Sequence, residues 1–477
     1  MSGTIVADVI VDGMKRAGTP RLFGVATSRA DHALLEAARA HGLPVTLASS
    51  ETGACVMAAV TGDLVDAPGA VVFNAGAQLV GPPRVADGAP FVLITSDHPS
   101  PMPGCKETLA VEPESAAHRI AHAVRLAMTE PRGAVHLDVL ARVVESATLP
   151  VATSCRPDPL PYPDVDLLDR AARALSGASR PLLLAGRHCR SADAAQWLRA
   201  FVEALPAPLL ATARAKGALP DPHPLMLGVL GIGDREASLL ARADLVVAIG
   251  LAPSEPVPEA CWSARPIVCL GPIPPPEGRS PGPHVLGGVA PIIEELAARL
   301  RDKPRADWDV AELDRLRRDG VARGADQGLV ARVVRRARDA TPAGTIATVD
   351  AGAYYPRVAT GWHATGPGEF LASTDPTTSG FALPAAIAAR LANPGRHVVC
   401  FTDVKGLAAA ASELETAARL GAPLTTVVFD DADACADASQ LERSGITLSF
   451  VDTETRFAQV FARSVENSQP ALIVVRC

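Results

Sequence analysis

Short apolar runs alternate along the chain with longer Ala- and Leu-rich stretches whose apolar positions recur at helical spacing. The runs 70-AVVFNA, 91-FVLITS, 134-AVHLDVL, 181-PLLLAG, 208-PLLATA, 244-DLVVAIG, 266-PIVCLG, 345-TIATVD, 397-HVVCF, 424-LTTVVF and 471-ALIVVR are apolar at consecutive positions, not alternate ones. A strand of that kind buries both faces, as in a parallel sheet covered by helices on either side. Stretches such as 51-ETGACVMAAVTGDL and 191-SADAAQWLRAFVEAL predict the covering helices. The predicted class is α/β, built of doubly wound parallel sheets.

Two Pro-rich breaks interrupt this alternation. The first, 149-LPVATSCRPDPLPYPDV-165, reads as a linker. The second, 271-GPIPPPEGRSPGP-283, is followed by a further helical stretch, 290-APIIEELAARL, and reads as a loop within a domain. The charged segment 303-KPRADWDVAELDRLRRDG-320 marks the other boundary. Three domains result, at 1–148, 165–302 and 321–477, in keeping with roughly 150 residues per domain.

Composition narrows the function classes. Of 477 residues 48% are hydrophobic but only 4% aromatic, so Ala, Val and Leu must fill the cores. The net charge is −7 and no basic cluster stands out, which argues against a nucleic-acid partner. The N-terminal MSGTIVADVIVDGMKRAG reads as an amphipathic helix, since Asp8 and Asp12 interrupt the apolar run that a signal peptide needs. No run is long enough to span a membrane. Nine scattered cysteines with no Cys-x-x-Cys point to a reducing, cytoplasmic setting without disulfides or structural zinc.

Several residues carry candidate chemistry. Glu51 follows Ser50 at a predicted helix start, where a carboxylate complements the dipole or serves as an acid or base. His98 follows the 91-FVLITS strand, at the end of a sheet where ligands bind in α/β folds; it is either an assisting group or a solvated loop residue. Cys55 lies one turn beyond Glu51 and reads as a small core residue. His118 and His122 share a helix face, but no third ligand accompanies them. Gly231-Ile232-Gly233 does not open a dinucleotide fingerprint, because no third glycine follows at the right spacing.

Motifs in all three domains resemble the thiamine-diphosphate-dependent enzymes of the acetolactate synthase and 2-keto-acid decarboxylase type. In the first domain these are 21-RLFGV, 49-SSETGACVMAAVTGD, 87-DGAPFVLITSDHP and 131-PRGAVHLDV. In the middle domain they are the long stretch from 180-RPLLLAGRHC to LMLGVLG and 243-ADLVVAIG. In the third they are 349-VDAGAYYPRVA, 377-TTSGFALPAAIAARLANPGRHVVC and 412-SELETAARLGAPLTTVVF. The resemblance implies pyrimidine-type, central and diphosphate-type domains, the middle one keeping a nucleotide-binding shape without a flavin (no FAD), and a small carbonyl substrate such as a 2-keto acid. It also implies a C–C bond made or broken beside the carbonyl, in a homodimer or dimer of dimers with the site at the chain interface. Glu51 matches the glutamate that touches the cofactor's aminopyrimidine, and Gly53 follows as in the family.

At the diphosphate end the sequence departs from the family. The family anchors magnesium with Gly-Asp-Gly and, about 25 residues on, Asn. Counted back from Glu413-Leu414, Gly-Asp-Gly falls on Asp403-Val404-Lys405, and the asparagine on Asp431, preceded by Asp430. Valine has no oxygen to offer a metal that takes octahedral oxygen ligands. The family's Gly-Pro-Gly reads Asn74-Ala75-Gly76, and its apolar residue under the cofactor reads Ser379, before Gly380. Only 46 residues follow Asp431, a short third domain by the family's measure. Two readings stay open. Either the cofactor is retained, with Asp403, Asp430 and Asp431 holding a cation or Lys405 replacing it as a point charge; or thiamine diphosphate and magnesium are both lost. In the second case the cleft serves cofactor-independent acid/base chemistry or binding alone.

Overall fold

The computed structural model describes residues 4–74, 88–98, 100–233, 235–262, 266–275, 282–300, 306–325, 328–373, 379–431, 446–467 and 469–477. Three six-stranded sheets follow one another along the chain. The first contains β1 (Leu22–Val25), β2 (Val45–Leu47), β3 (Gly69–Phe73), β4 (Phe91–Thr95), β5 (Thr108–Ala110) and β6 (Ala134–Asp138), in the order β2-β1-β3-β4-β6-β5. The second contains β7 (Pro181–Ala185), β8 (Leu209–Ala211), β9 (Met226–Val229), β10 (Leu245–Ile249), β11 (Ile267–Gly271) and β12 (His284–Leu286), in the order β12-β11-β10-β7-β8-β9. The third contains β13 (Ile346–Val349), β14 (Phe370–Ala372), β15 (Val398–Asp403), β16 (Thr425–Asp430), β17 (Thr447–Val451) and β18 (Ala471–Arg476), in the order β14-β13-β15-β16-β18-β17. Neighbouring strands pair in parallel in all three sheets.

The consecutive apolar runs are the interior strands. β3, β4, β6, β7, β10, β11, β13 and β16 are buried at every residue, because helices cover both faces of each sheet. Strand order reverses between β1 and β3, β7 and β10, and β13 and β15, which opens a crevice at the carboxyl ends of each pair. The N-terminal amphipathic pattern is the helix Val6–Arg16, with Val6, Val9, Ile10 and Met14 buried.

The first and third domains share one hydrophobic core. Helix Glu51–Val65 brings Ala54, Met57 and Ala58 to it, and helix Ala382–Ala392 brings Ala385, Ala386 and Ala389. Alanines let the two helix backbones approach closely, which explains the Ala-rich patterning of both stretches. The charged segment before the third domain packs on the middle one. Trp308 and Leu313 are buried in its outer core, and Trp308 Nε1 donates to the Pro181 carbonyl at 2.9 Å.

Candidate active site

Glu51 opens the helix Glu51–Val65 and is half-buried. Ser50 caps that helix, its hydroxyl accepting from the Gly53 N–H at 3.0 Å. The turn is also gripped from the third domain. Glu413, in helix Ser412–Leu420, is completely buried. Its Oε1 accepts from Ser50 N–H at 2.9 Å and Ser50 Oγ at 2.8 Å, and its Oε2 from Ser49 N–H at 3.4 Å. A Cβ on Gly53 would lie 2.2 Å from that Oε1, so the glycine is required by the approach of Glu413. This packing role is a demand on Gly53 that the family motif alone did not reveal.

Asn74 is exposed at the end of β3. His98 lies after β4 at the same edge of the first sheet, half-buried, its backbone N–H donating to Asp138 Oδ1 at 2.8 Å. Its ring stands edge-on to that of His136, with centroids 6.0 Å apart. His136 is fully buried in β6 between the Thr95 hydroxyl, 2.7 Å from Nε2, and the Thr108 hydroxyl, 3.1 Å from Nδ1. Burial, with the neighbouring His98, pushes its pKa down to about 4. Sequence reasoning singled out His98 and passed over His136. The signal was present, since a histidine within the apolar run 134-AVHLDVL must find partners inside the core.

At the third sheet Asp403 ends β15 and caps the short helix Val404–Ala409, its Oδ1 accepting from the Gly406 N–H at 2.7 Å. Val404 packs against the shared core, and Lys405 is exposed. Asp430 is buried at the end of β16, and Asp431 is exposed and hydrogen-bonded to the Tyr354 hydroxyl. Burial first, then the nearby Cys477 and Asp431, pushes the Tyr354 phenol up to about 12, so it remains a proton donor. Asp350, buried after β13, accepts from Phe381 N–H at 2.7 Å, Ala382 N–H at 3.0 Å and Thr402 Oγ1 at 2.5 Å. Burial raises its pKa, against the pull of those donors. Ser379 is exposed. Gly380 holds φ at +87°, and a Cβ there would meet Ala409 Cβ at 2.9 Å. Ala75, Gly76, Thr377 and Thr378 lie outside the described residues.

These residues do not fit a magnesium-bridged diphosphate. The crevice between β13 and β15, lined by Asp350, Gly352, Tyr354, Tyr355, Thr402 and Asp403 among others, encloses about 10 Å³. That is room for about one water. Asp403 is engaged with its own helix, Asp431 with Tyr354, and Val404 with the core. Among the described residues no three His, Cys, Asp or Glu side chains are placed to hold a metal ion. A wider cavity of about 460 Å³ lies where the three domains meet. On its wall Asp63 bridges Arg187 at 2.8 Å and Arg190 at 2.5 Å, and Arg132 pairs with Asp66 at 2.5 Å and Glu130 at 2.9 Å.

The chain is similar to known proteins along most of its length. Residues 4–114 match the thiamine pyrophosphate enzyme N-terminal TPP binding domain, 168–275 the central domain, and 350–435 the C-terminal TPP binding domain. The catabolic acetolactate synthase of Raoultella terrigena is 26% identical over 466 residues, covering 89% of this chain and 82% of that protein. The acetolactate synthase of Bacillus subtilis (strain 168) is 25% identical over 464 residues, covering 89% and 81%. The oxalyl-CoA decarboxylase of Escherichia coli (strain K12) is 26% identical over 276 residues, covering 51% and 47%. A candidate thiamin diphosphate-dependent enzyme from Mycobacterium smegmatis has the same fold, with a TM-score of 0.80 at 19% identity over 99% of both chains. With all three domains matched in order, the chain belongs to the thiamine pyrophosphate (thiamine diphosphate) enzyme family.

Proposed function

We propose that this protein makes or breaks a C–C bond beside the carbonyl of a small substrate, a 2-keto acid or a close relative, and does so without magnesium-anchored thiamine diphosphate. The reaction type follows the acetolactate synthases and the decarboxylase to which the chain is similar. The observation that carries the proposal is the clamped helix start at Glu51. A half-buried carboxylate stands at the carboxyl edge of a parallel sheet, on a turn held in place by Glu413. Without an electron-sink cofactor, the bond that can break is the one between the α and β carbons of a β-hydroxy carbonyl substrate. The Glu51 carboxylate takes the β-hydroxyl proton, that hydroxyl carbon leaves as a carbonyl, and the electron pair passes to the substrate's carbonyl oxygen as an enolate. The same group returns the proton to the α carbon. His98, at the same edge, assists in orienting the substrate. The site is completed between two copies of the chain, in a homodimer or dimer of dimers.

The test is turnover of a panel of 2-keto acids and acyl donors by the purified protein, without added cofactor, with product release followed by mass spectrometry. Glu51→Gln is expected to lower kcat about 10²–10⁴-fold while the protein remains folded. Unchanged kcat in the variant removes Glu51 from the chemistry. A second reading retains thiamine diphosphate, with the Lys405 ammonium in place of magnesium; the exposure of Lys405 beside the third-sheet crevice favours it. Cofactor in the supernatant of the denatured protein would establish that reading.

A further inference from the structure

The crevice between β13 and β15 is the place where a doubly wound sheet offers backbone N–H groups to an anion. Here the chain supplies a carboxylate of its own. Asp403 is extended, at φ −109° and ψ −179°, and turns its side chain back onto the Gly406 N–H. The turn is tight from the other side as well. A Cβ on Gly406 would lie 2.3 Å from both Asp350 Oδ2 and Thr402 Oγ1, so the turn packs directly against these two side chains and only glycine fits there. Tyr354 and Tyr355 line the opposite wall, and Tyr354 engages Asp431, the other position the family motif assigns to metal binding.

We infer that Asp403 is an internal plug: its carboxylate occupies the anion-accepting turn of the third domain and so excludes thiamine diphosphate and other diphosphates from that crevice. The inference deepens the cofactor-free reading above and rests on it. Two effects act together. The carboxylate saturates the Gly406 N–H that a phosphate oxygen would use, and its negative charge repels a diphosphate in the absence of a bridging cation. Val404 removes the oxygen with which that cation would be held.

Isothermal titration of the full-length protein tests the plug without reference to catalysis. Wild-type protein is expected to show no heat with thiamine diphosphate plus Mg²⁺, or with inorganic pyrophosphate plus Mg²⁺, up to about 1 mM ligand. Saturable wild-type binding of thiamine diphosphate overturns both the plug and the cofactor-free reading. The combined variant Asp403→Gly, Val404→Asp, Lys405→Gly, Asp431→Asn restores the family's residues. It is expected to gain Mg²⁺-dependent binding of both ligands, at least about tenfold tighter than wild type. The single variant Asp403→Gly covers the case in which the combined variant fails to fold. It leaves the rest of the turn intact and is expected to gain pyrophosphate binding by at least about tenfold. If Asp403→Gly folds, as judged by its melting curve, and binds no better than wild type, the plug is overturned while the cofactor-free reading stands.

Discussion

Glu413 shows how one buried charge organises two domains. It comes from the third domain, is fully enclosed, and satisfies three donors at the start of the first domain's central helix. A buried carboxylate is tolerated only where hydrogen bonds replace its water, and these provide that replacement. The arrangement requires Gly53, because any side chain there would collide with Oε1. Gly53→Ala is therefore expected to destabilise the protein by about 1–3 kcal/mol, either by pushing Glu413 away or by overpacking the turn. The measurement is the denaturant midpoint, and an unchanged midpoint would show that Glu413 does not hold this position. Glu51 sits two residues away, so the same variant is expected to lower turnover as well. Glu51 and Gly53 were legible in the sequence through the Ser-Glu-Thr-Gly motif. Glu413 was not, because nothing near it in the chain announces that its partners lie more than three hundred residues upstream.

Among the secondary-structure elements, the interior strands were read directly from consecutive apolar runs. The strands missing from those runs, apart from β1, are β2, β5, β9, β12, β14 and β17, which are the six sheet edges. Several of them span only three residues, and half-exposed ends such as β2, β12 and β17 alternate too little to stand out from a loop. β6 carries a polar residue within an interior strand, and that has a consequence for pH. His136 has an ordinary pKa of 6.5 and a folded-state value of about 4, because burial disfavours its charged form. The unfolded chain thus takes the proton first. The associated stability is complete above pH 6.5 and is lost progressively as pH falls towards 4, by about 3 kcal/mol in total. His136→Gln, which keeps a hydrogen-bonding side chain between Thr95 and Thr108 but does not titrate, is expected to flatten the urea midpoint across that interval. An equally steep wild-type and variant profile would assign the acid sensitivity to other groups.

Across the whole molecule, the middle and third domains are joined by a second buried charge. Lys216 Nζ meets Asp221 at 2.5 Å, with side-chain exposures of 3% and 9%. Asp221 Oδ2 in turn accepts from the Ala364 N–H at 2.6 Å, and the Asp221 N–H donates to the Ala364 carbonyl at 2.9 Å. Gly217 lies so close that a Cβ would be 2.1 Å from the Gly366 carbonyl oxygen. Asp221→Ala leaves the Lys216 ammonium buried without its counter-ion, at a cost of about 3–5 kcal/mol. The expected result is a calorimetric trace in which the third domain melts earlier than the rest; a single unshifted transition would contradict the clamp. The architecture itself was decided locally. Apolar runs that bury both faces, separated by Ala- and Leu-rich helices, admit little besides parallel α/β sheets, and the family motifs identify which ones. That Val404 has no oxygen to offer a metal was plain from the sequence, since identity alone settles whether a side chain can be a ligand. What only the tertiary structure decided is where the remaining carboxylates point: Asp403 onto its own helix, Asp431 onto Tyr354, Glu413 onto another domain's backbone. A carboxylate's role depends on the donors that reach it, and those donors are gathered from distant parts of the chain only when it folds.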